Sequence, residues 1–265
     1  MRRASPTLLL ALLVAITTAC TSGGGQSKAP SSTQAPSAPA QSAPTTAGSV
    51  PQAARLPRGG QPVRLDPAQF TSRINHPYWP MTPGSRWVYR EGEQQDEVTV
   101  TRQTKKIMGI DARVVHDVAT VNGQVQEDTL DWYAQDAQGN IWYMGEDTKE
   151  YKNGKVVSTA GSWQAGVHGA QPGILLPANP RPGMAYRQEY LKGQAEDAAQ
   201  VLSLRQQVRV PFGSFDRVLT TKDYTPLEPS VVEHKFYAQG VGPVLAITVS
   251  GGSGREELLR FEHRP

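Results

Sequence analysis

From Phe70 onward the chain alternates. Arg86-Trp87-Val88-Tyr89, Glu97-Val98-Thr99-Val100-Thr101 and Val114-Val115-His116-Asp117-Val118 step between bulky apolar and polar residues with a period close to two, the spacing that places one set of side chains on each face of a strand. The third run leads to Asn122-Gly123, and Asn153-Gly154 joins Glu150-Tyr151 to Val156-Val157. Asn-Gly accepts positive φ at both central positions, so it can join two paired strands through two residues. Further runs at 200–204, 217–221, 231–237, 243–249 and 257–261 bring the expectation to roughly ten to twelve strands. No stretch has a helical period, apart from a short turn near Ala195. The pattern predicts an all-β fold, a single antiparallel meander forming a strongly curved sheet or barrel-like sandwich.

Within the meander, Leu130-Asp131-Trp132-Tyr133 and Asn140-Ile141-Trp142-Tyr143 are expected to pair around a turn at Asp136-Ala137-Gln138-Gly139-Asn140. Asp136 is placed to accept backbone N–H groups across the turn, and Gly139 to take the left-handed conformation. Trp132 and Trp142 would then be cross-strand neighbours or near neighbours.

The segment Ala160–Gly183 breaks the alternation. Its five glycines and four prolines argue against regular structure, while Trp163, Ile174, Leu175 and Leu176 call for burial. Long loops in compact domains tend to be lids or binding loops. The expectation is a Gly/Pro-rich cover over the sheet, either closing the core or gating an apolar cavity, with those four residues as ligand contacts.

The N-terminus changes the picture of where this domain sits. Arg2-Arg3, an apolar run at 8–16 and small residues up to Ala19 form a three-part export signal over 1–19. The run is too short for a transmembrane helix, which needs roughly 20 apolar residues. The single cysteine is Cys20, at the cleavage point, where a bacterial lipoprotein carries its diacylglycerol; Thr17 stands where a lipobox usually has Leu, Val or Ile. Residues 20–69 are read as the lipidated cysteine and a Pro/Ser/Ala/Gln-rich tether, too poor in apolar residues to offset the entropy of folding. A flexible coil of that length reaches about 40 Å. Residues 70–265 are the all-β domain. Loss of Arg2 and Arg3 leaves 25 basic residues against 24 acidic ones, so the +3 of the whole chain falls to +1. Without a basic cluster, no nucleic-acid partner is expected, and without a second cysteine no internal disulfide.

Chemistry is sparse in the sequence. No Gly-x-Ser-x-Gly, His-Glu-x-x-His or Cys-x-x-Cys occurs, the five histidines lack metal-ligand spacing, and no cofactor, metal or catalytic residue is nominated. Adjacent acidic pairs stand at Glu127-Asp128, Glu146-Asp147 and Glu196-Asp197. Neighbours on a strand face opposite sides, so an adjacent pair can share an ion only at a strand end. Glu146-Asp147, beside Gly145, is the pair placed there.

Asn75-His76-Pro77-Tyr78-Trp79-Pro80-Met81, Trp87-Val88-Tyr89, Asp131 to Asp136, Gly145-Glu146-Asp147-Thr148, Gly161-Ser162-Trp163 and Ala195-Glu196-Asp197 together resemble a family of exported bacterial β-rich proteins and lipoproteins of unknown function. The resemblance supplies no activity. It implies a polar or cation site at Glu146, Asp147, Glu196 and Asp197.

The expected function is a binding module held on the outer side of a membrane through Cys20, taking an apolar small molecule or another envelope-derived ligand. A scaffold that binds an envelope protein and has a solid core is the alternative, and a hydrolase a distant third.

Overall fold

The computed structural model describes residues 56–263. One turn of 3-10 helix (Pro67–Gln69) precedes β1 (Phe70–Thr71), β2 (Ile74–His76), β3 (Trp79–Met81), β4 (Arg86–Glu91), β5 (Gln94–Ile107), β6 (Ile110–Val121), β7 (Gln124–Asp136), β8 (Ile141–Lys152) and β9 (Lys155–Ser158). Then come β10 (Trp163–Gln164), β11 (Gln171–Leu176), β12 (Ala185–Arg187), β13 (Glu189–Tyr190), β14 (Ala198–Val210), β15 (Gly213–Tyr224), β16 (Val232–Ala238), β17 (Gly242–Ser250) and β18 (Arg255–Glu262). The all-β expectation holds. Among the described residues there is no α-helix, and none is long and apolar enough to cross a membrane.

The strands form one antiparallel sheet in the order β12-β14-β15-β16-β17-β18-β4-β5-β6-β7-β8-β11-β13, nearly closed as a barrel. Its two terminal strands are neighbours in sequence: β12 pairs with β14, β13 pairs with β11, and only Gln188 lies between them. The chain thus steps across its own seam, which removes the two open edges a flat sheet would present to other chains. Gln188 N donates to Asp197 O at 2.7 Å. The Arg187 guanidinium, buried at the seam, donates to Pro172 O (2.7 Å), Gly59 O (2.5 Å) and Gln61 O (2.8 Å). Residues 56–69 fall in the stretch read as tether, yet Leu56, Val63 and Leu65 pack against the core.

The turns follow from their residues. Asn122 and Gly123 take φ of 51° and 75°, and Asn153 and Gly154 take 54° and 69°, as their sequence predicts. At 136–140, Asp136 accepts from Gln138 N (3.0 Å), Asn140 N (2.8 Å), Asn140 Nδ2 (2.7 Å) and Trp142 Nε1 (2.8 Å). One carboxylate therefore organises the whole turn. Asp136→Ala should cost about 2–4 kcal/mol, because it strands the buried indole N–H as well as the turn amides; urea unfolding of the variant checks this. Trp132 and Trp142 are not partners: Trp132 lies opposite Gly145, and Trp142 opposite Ala134. A register shift between Trp132 and Tyr133 separates them. Trp142 instead packs edge-on against Phe70 at 5.9 Å.

The Gly/Pro-rich segment is also more regular than expected. Trp163 lies in β10, paired with Glu146, and Ile174 and Leu176 lie in β11 against Trp142 and Ile141. Gly173 and Pro172 are strand residues here because the chain beyond them passes directly over Gly173.

The interior divides along the barrel axis. At the end bearing the 108–109, 137–140, 211–212 and 239–241 turns, the β2–β3 hairpin fills the space with Ile74, Trp79 and Met81. Trp79 meets Trp87 edge-on at 6.4 Å and lies 5.9 Å from Tyr133 and 6.3 Å from Tyr237. The other end, bearing the 92–93, 122–123, 153–154, 225–231 and 251–254 turns, is lined differently.

Candidate functional site at the acidic end of the barrel

Strand alternation points carboxyl groups inward on most of the strands that line this second end. On β5 to β8 the inward set includes Asp96, Asp117, Glu127, Asp131 and Glu146, and on β13, β15, β16 and β18 it includes Glu189, Asp223, Glu233 and Glu256; Asp197 precedes β14. All are buried, and Lys235 is the one lysine buried among them.

These groups form linked pairs. Asp131 and Glu146 are direct cross-strand partners. Tyr143 Oη donates to Asp131 at 2.6 Å, Thr129 Oγ1 to Glu127 at 3.0 Å, and Thr148 Oγ1 to Glu146 at 2.7 Å, while the two threonine hydroxyls are 3.1 Å apart. Glu189 and Asp197 face one another across the seam, as do Asp96 and Glu256 between β5 and β18. Lys235 Nζ lies 3.4 Å from Asp223, which also accepts from Thr221 Oγ1 (2.5 Å) and Gln188 Nε2 (3.2 Å).

One ammonium does not neutralise this set, and burial raises the proton affinity of its acids. Burial raises Glu127 to about 8, with Glu150 and Asp131 adding to it, and raises Asp131 to about 6 despite the Tyr143 bond. Burial takes Asp197 and Glu233 each to about 7, although Lys235 pulls both down. Asp117, Glu146, Glu189 and Glu256 are pushed well above the usual carboxylate range, first by burial and then by their acidic neighbours. Burial disfavours the ammonium of Lys235, but the carboxylates of Asp223, Glu233 and Asp197 outweigh it and raise its pKa.

Glu233 stands out. Both of its carboxyl oxygens, on a residue 3% exposed, have no hydrogen-bond partner, whereas Asp117, Glu189, Asp197 and Glu256 each leave one oxygen unpartnered. Thr248 Oγ1, on the residue opposite Glu233, is also unpartnered. Buried polar groups are nearly always satisfied in folded proteins. Leaving a carboxyl group unsatisfied costs on the order of 1–3 kcal/mol or more.

Of the four acidic residues predicted for a site, the structure brings two inside. Glu146 and Asp197 belong to the acidic interior and act on each other electrostatically. Asp147 points outward, 3.5 Å from Lys149, and Glu196 accepts from Gly193 N at 2.7 Å in the exposed 191–195 turn. Glu146-Asp147 is not at a strand end but in the middle of β8. Trp163, Ile174 and Leu176 are buried wall residues, with Trp163 edge-on to Tyr143 at 5.3 Å, while Leu175 is half-buried. Sequence reasoning missed Asp96, Asp117, Asp131, Glu189, Asp223, Glu233 and Glu256. Their signal was present: Glu127-x-Thr129-x-Asp131 and Glu233-x-Lys235 are polar at period two. Among the described residues, no three His, Cys, Asp or Glu side chains converge to hold a metal ion.

No family model matches the chain, and no curated protein matches it. Two solved structures do. A candidate exported protein with a YmcC-like fold from Bacteroides fragilis is 14% identical, with 70% of this chain and 99% of that one covered and a TM-score of 0.42. A candidate lipoprotein from Parabacteroides distasonis is 12% identical, with 70% and 98% covered and a TM-score of 0.40.

Proposed function

We propose that this chain is an exported, membrane-anchored binding module whose ligand site is the acidic end of the barrel interior. Export and anchoring rest on the signal-like residues 1–19 and on Cys20, which lie outside the described residues. The binding role rests on one observation: Glu233 carries two buried oxygens with no partner, in a ring of buried carboxyl groups. A fold that needed only stability would place apolar residues there, as it does at the other end; binding sites commonly retain groups that cost stability. The apolar residues Trp163, Ile174, Leu175 and Leu176 serve as wall and support rather than as a moving lid.

This reading predicts the sign of a stability change. At pH 8 the Glu233 carboxyl is ionised at a cost, because its pKa of about 7 lies above the ordinary value of 4.5. Glu233→Gln should therefore stabilise the ligand-free chain at pH 8 by about 1–3 kcal/mol and change little at pH 5. Thermal unfolding at the two pH values measures it. Destabilisation at both would make Glu233 a structural residue and favour the scaffold alternative.

A further inference from the structure

We propose that the acidic end of the barrel takes a linear polyamine, its ammonium groups pairing with Glu233, Asp117 and the carboxyl pairs of the wall and its methylenes lying along the tyrosine rings. The inference rests on the reading of this end as the ligand site. Three features of the site lead to it.

The first is charge. The inward-facing charged side chains of β5 to β8, β15, β16 and β18 near this end are acids except for Lys235, and that residue shows how the wall receives an ammonium. Lys235 Nζ is 3.4 Å from Asp223, with Glu233 and Asp197 also acting on it. One end of a bound amine is thus built into β16. The second is distribution. The acidic groups do not converge on one point but stand as separate pairs around the wall: Asp131 with Glu146, Glu189 with Asp197, and Asp96 with Glu256. A point charge can satisfy one such pair, whereas a flexible chain with cationic groups a few methylenes apart can reach several. The third is the aromatic layer beneath. Tyr133 stacks on Tyr143 at 4.9 Å, and both hydroxyls hydrogen-bond Asp131. Tyr89, also buried, is acted on by the charges of Glu256 and Asp117, and Tyr237 by those of Asp223 and Glu233. Ring faces accept ammonium groups and methylenes alike.

Binding of this kind must release protons. Glu233 is held near 7 by burial and by Asp223 and Glu91, against Lys235. Glu127 is held near 8 by burial and by Glu150, Asp131 and Asp96, against its bond from Thr129. An arriving ammonium favours the ionised form of each, so the protons leave as the amine enters.

Calorimetric titration of the full chain with spermine tests this, at pH 8 and pH 6 and in two buffers of different ionisation enthalpy. The expected result is one spermine per chain, a buffer-dependent heat corresponding to release of at least one proton, and affinity roughly tenfold or more weaker at pH 6. Glu233→Gln should weaken binding by roughly tenfold or more. Asp147→Asn, on the outer face, should leave it within about twofold. The inference is overturned if magnesium chloride at equal ionic strength gives the same heat, if the heat is independent of buffer, or if Glu233→Gln binds as tightly as the parent. If spermine fails but the chain recovered from its native envelope carries a non-covalent ligand, only the ligand class is wrong; if neither binds, the site reading falls too.

Discussion

Gly173→Ala should open the barrel seam. A Cβ on Gly173 would lie 2.2 Å from Gln188 O, 2.3 Å from the Gln188 carbonyl carbon and 2.5 Å from Arg187 O. All three are backbone atoms of the residues that carry the chain from β12 to β13, so no side chain can rotate away. Relief requires the seam itself to move, and with it the Gln188–Asp197 backbone bond and the Arg187 guanidinium anchored on Pro172, Gly59 and Gln61. The expected loss is about 4 kcal/mol or more, a large share of the 5–15 kcal/mol that holds a typical domain. It should lower the unfolding midpoint by about 10 °C. Gly213→Ala is the control, since its Cβ would meet nothing closer than Phe215 at 3.8 Å, and should stay within about 0.5 kcal/mol. Equal midpoints for the two variants would mean that the seam does not close as described.

The second large effect is a loss of stability with rising pH. Glu127, Asp131, Asp197 and Glu233 have folded-state values of about 8, 6, 7 and 7, all above their ordinary values of 3.8 to 4.5. A carboxyl group raised in this way holds a proton that the unfolded chain gives up. Its stabilising contribution is complete below about pH 4 and disappears as pH rises through the folded value. Each tenfold gain in proton affinity on folding corresponds to about 1.4 kcal/mol, and Asp131 adds to the rise at Glu127. The ligand-free chain should therefore lose on the order of 5 kcal/mol between pH 5 and pH 8, or about 15 °C in midpoint. His76 works the other way. Its Nδ1 accepts from Tyr78 N at 3.2 Å, leaving Nε2–H to donate to Pro177 O at 3.1 Å, and burial lowers its pKa. Its contribution is present above the ordinary 6.5 and fades as the pH falls, so it offsets only part of the trend. Lys235, raised above its ordinary value, stays charged throughout this window. A midpoint that is level or rises from pH 5 to 8 would contradict the acidic interior.

Much of the fold was legible because its turns are chemically explicit. Asn122-Gly123, Asn153-Gly154 and the Asp136 turn each require their residues, and period-two runs between them leave little besides strands. The Gly/Pro-rich segment misled because Gly173 reads as a breaker, while in the fold it is the one residue small enough to pass beneath the seam. The site was harder to read for a physical reason. Period two separates the faces of a strand but does not say which face is inside. On β7, hydrophobicity favours the face bearing Leu130 and Trp132, yet that face is the outer one, where Lys105 Nζ covers the Trp132 ring at 3.2 Å. Glu127, Thr129 and Asp131 face inward instead. On β16, likewise, Phe236 shares the outer face with His234, while Glu233 and Lys235 face inward. The usual assignment of the apolar face to the core fails where the interior is itself a polar site, and the cross-strand register that unites ten carboxyl groups is a property of ring closure rather than of any single run.

Native mass spectrometry of the full chain recovered from its envelope, compared with the same chain denatured, shows whether the acidic end of the barrel holds a ligand. A basic, non-covalent ligand should be seen at pH 8 and lost on denaturation, alongside a covalent lipid mass at Cys20 that survives it. A bare interior, unchanged after incubation with spermine or with an extract of the envelope, would contradict the claim that the acidic end of the barrel is a ligand site.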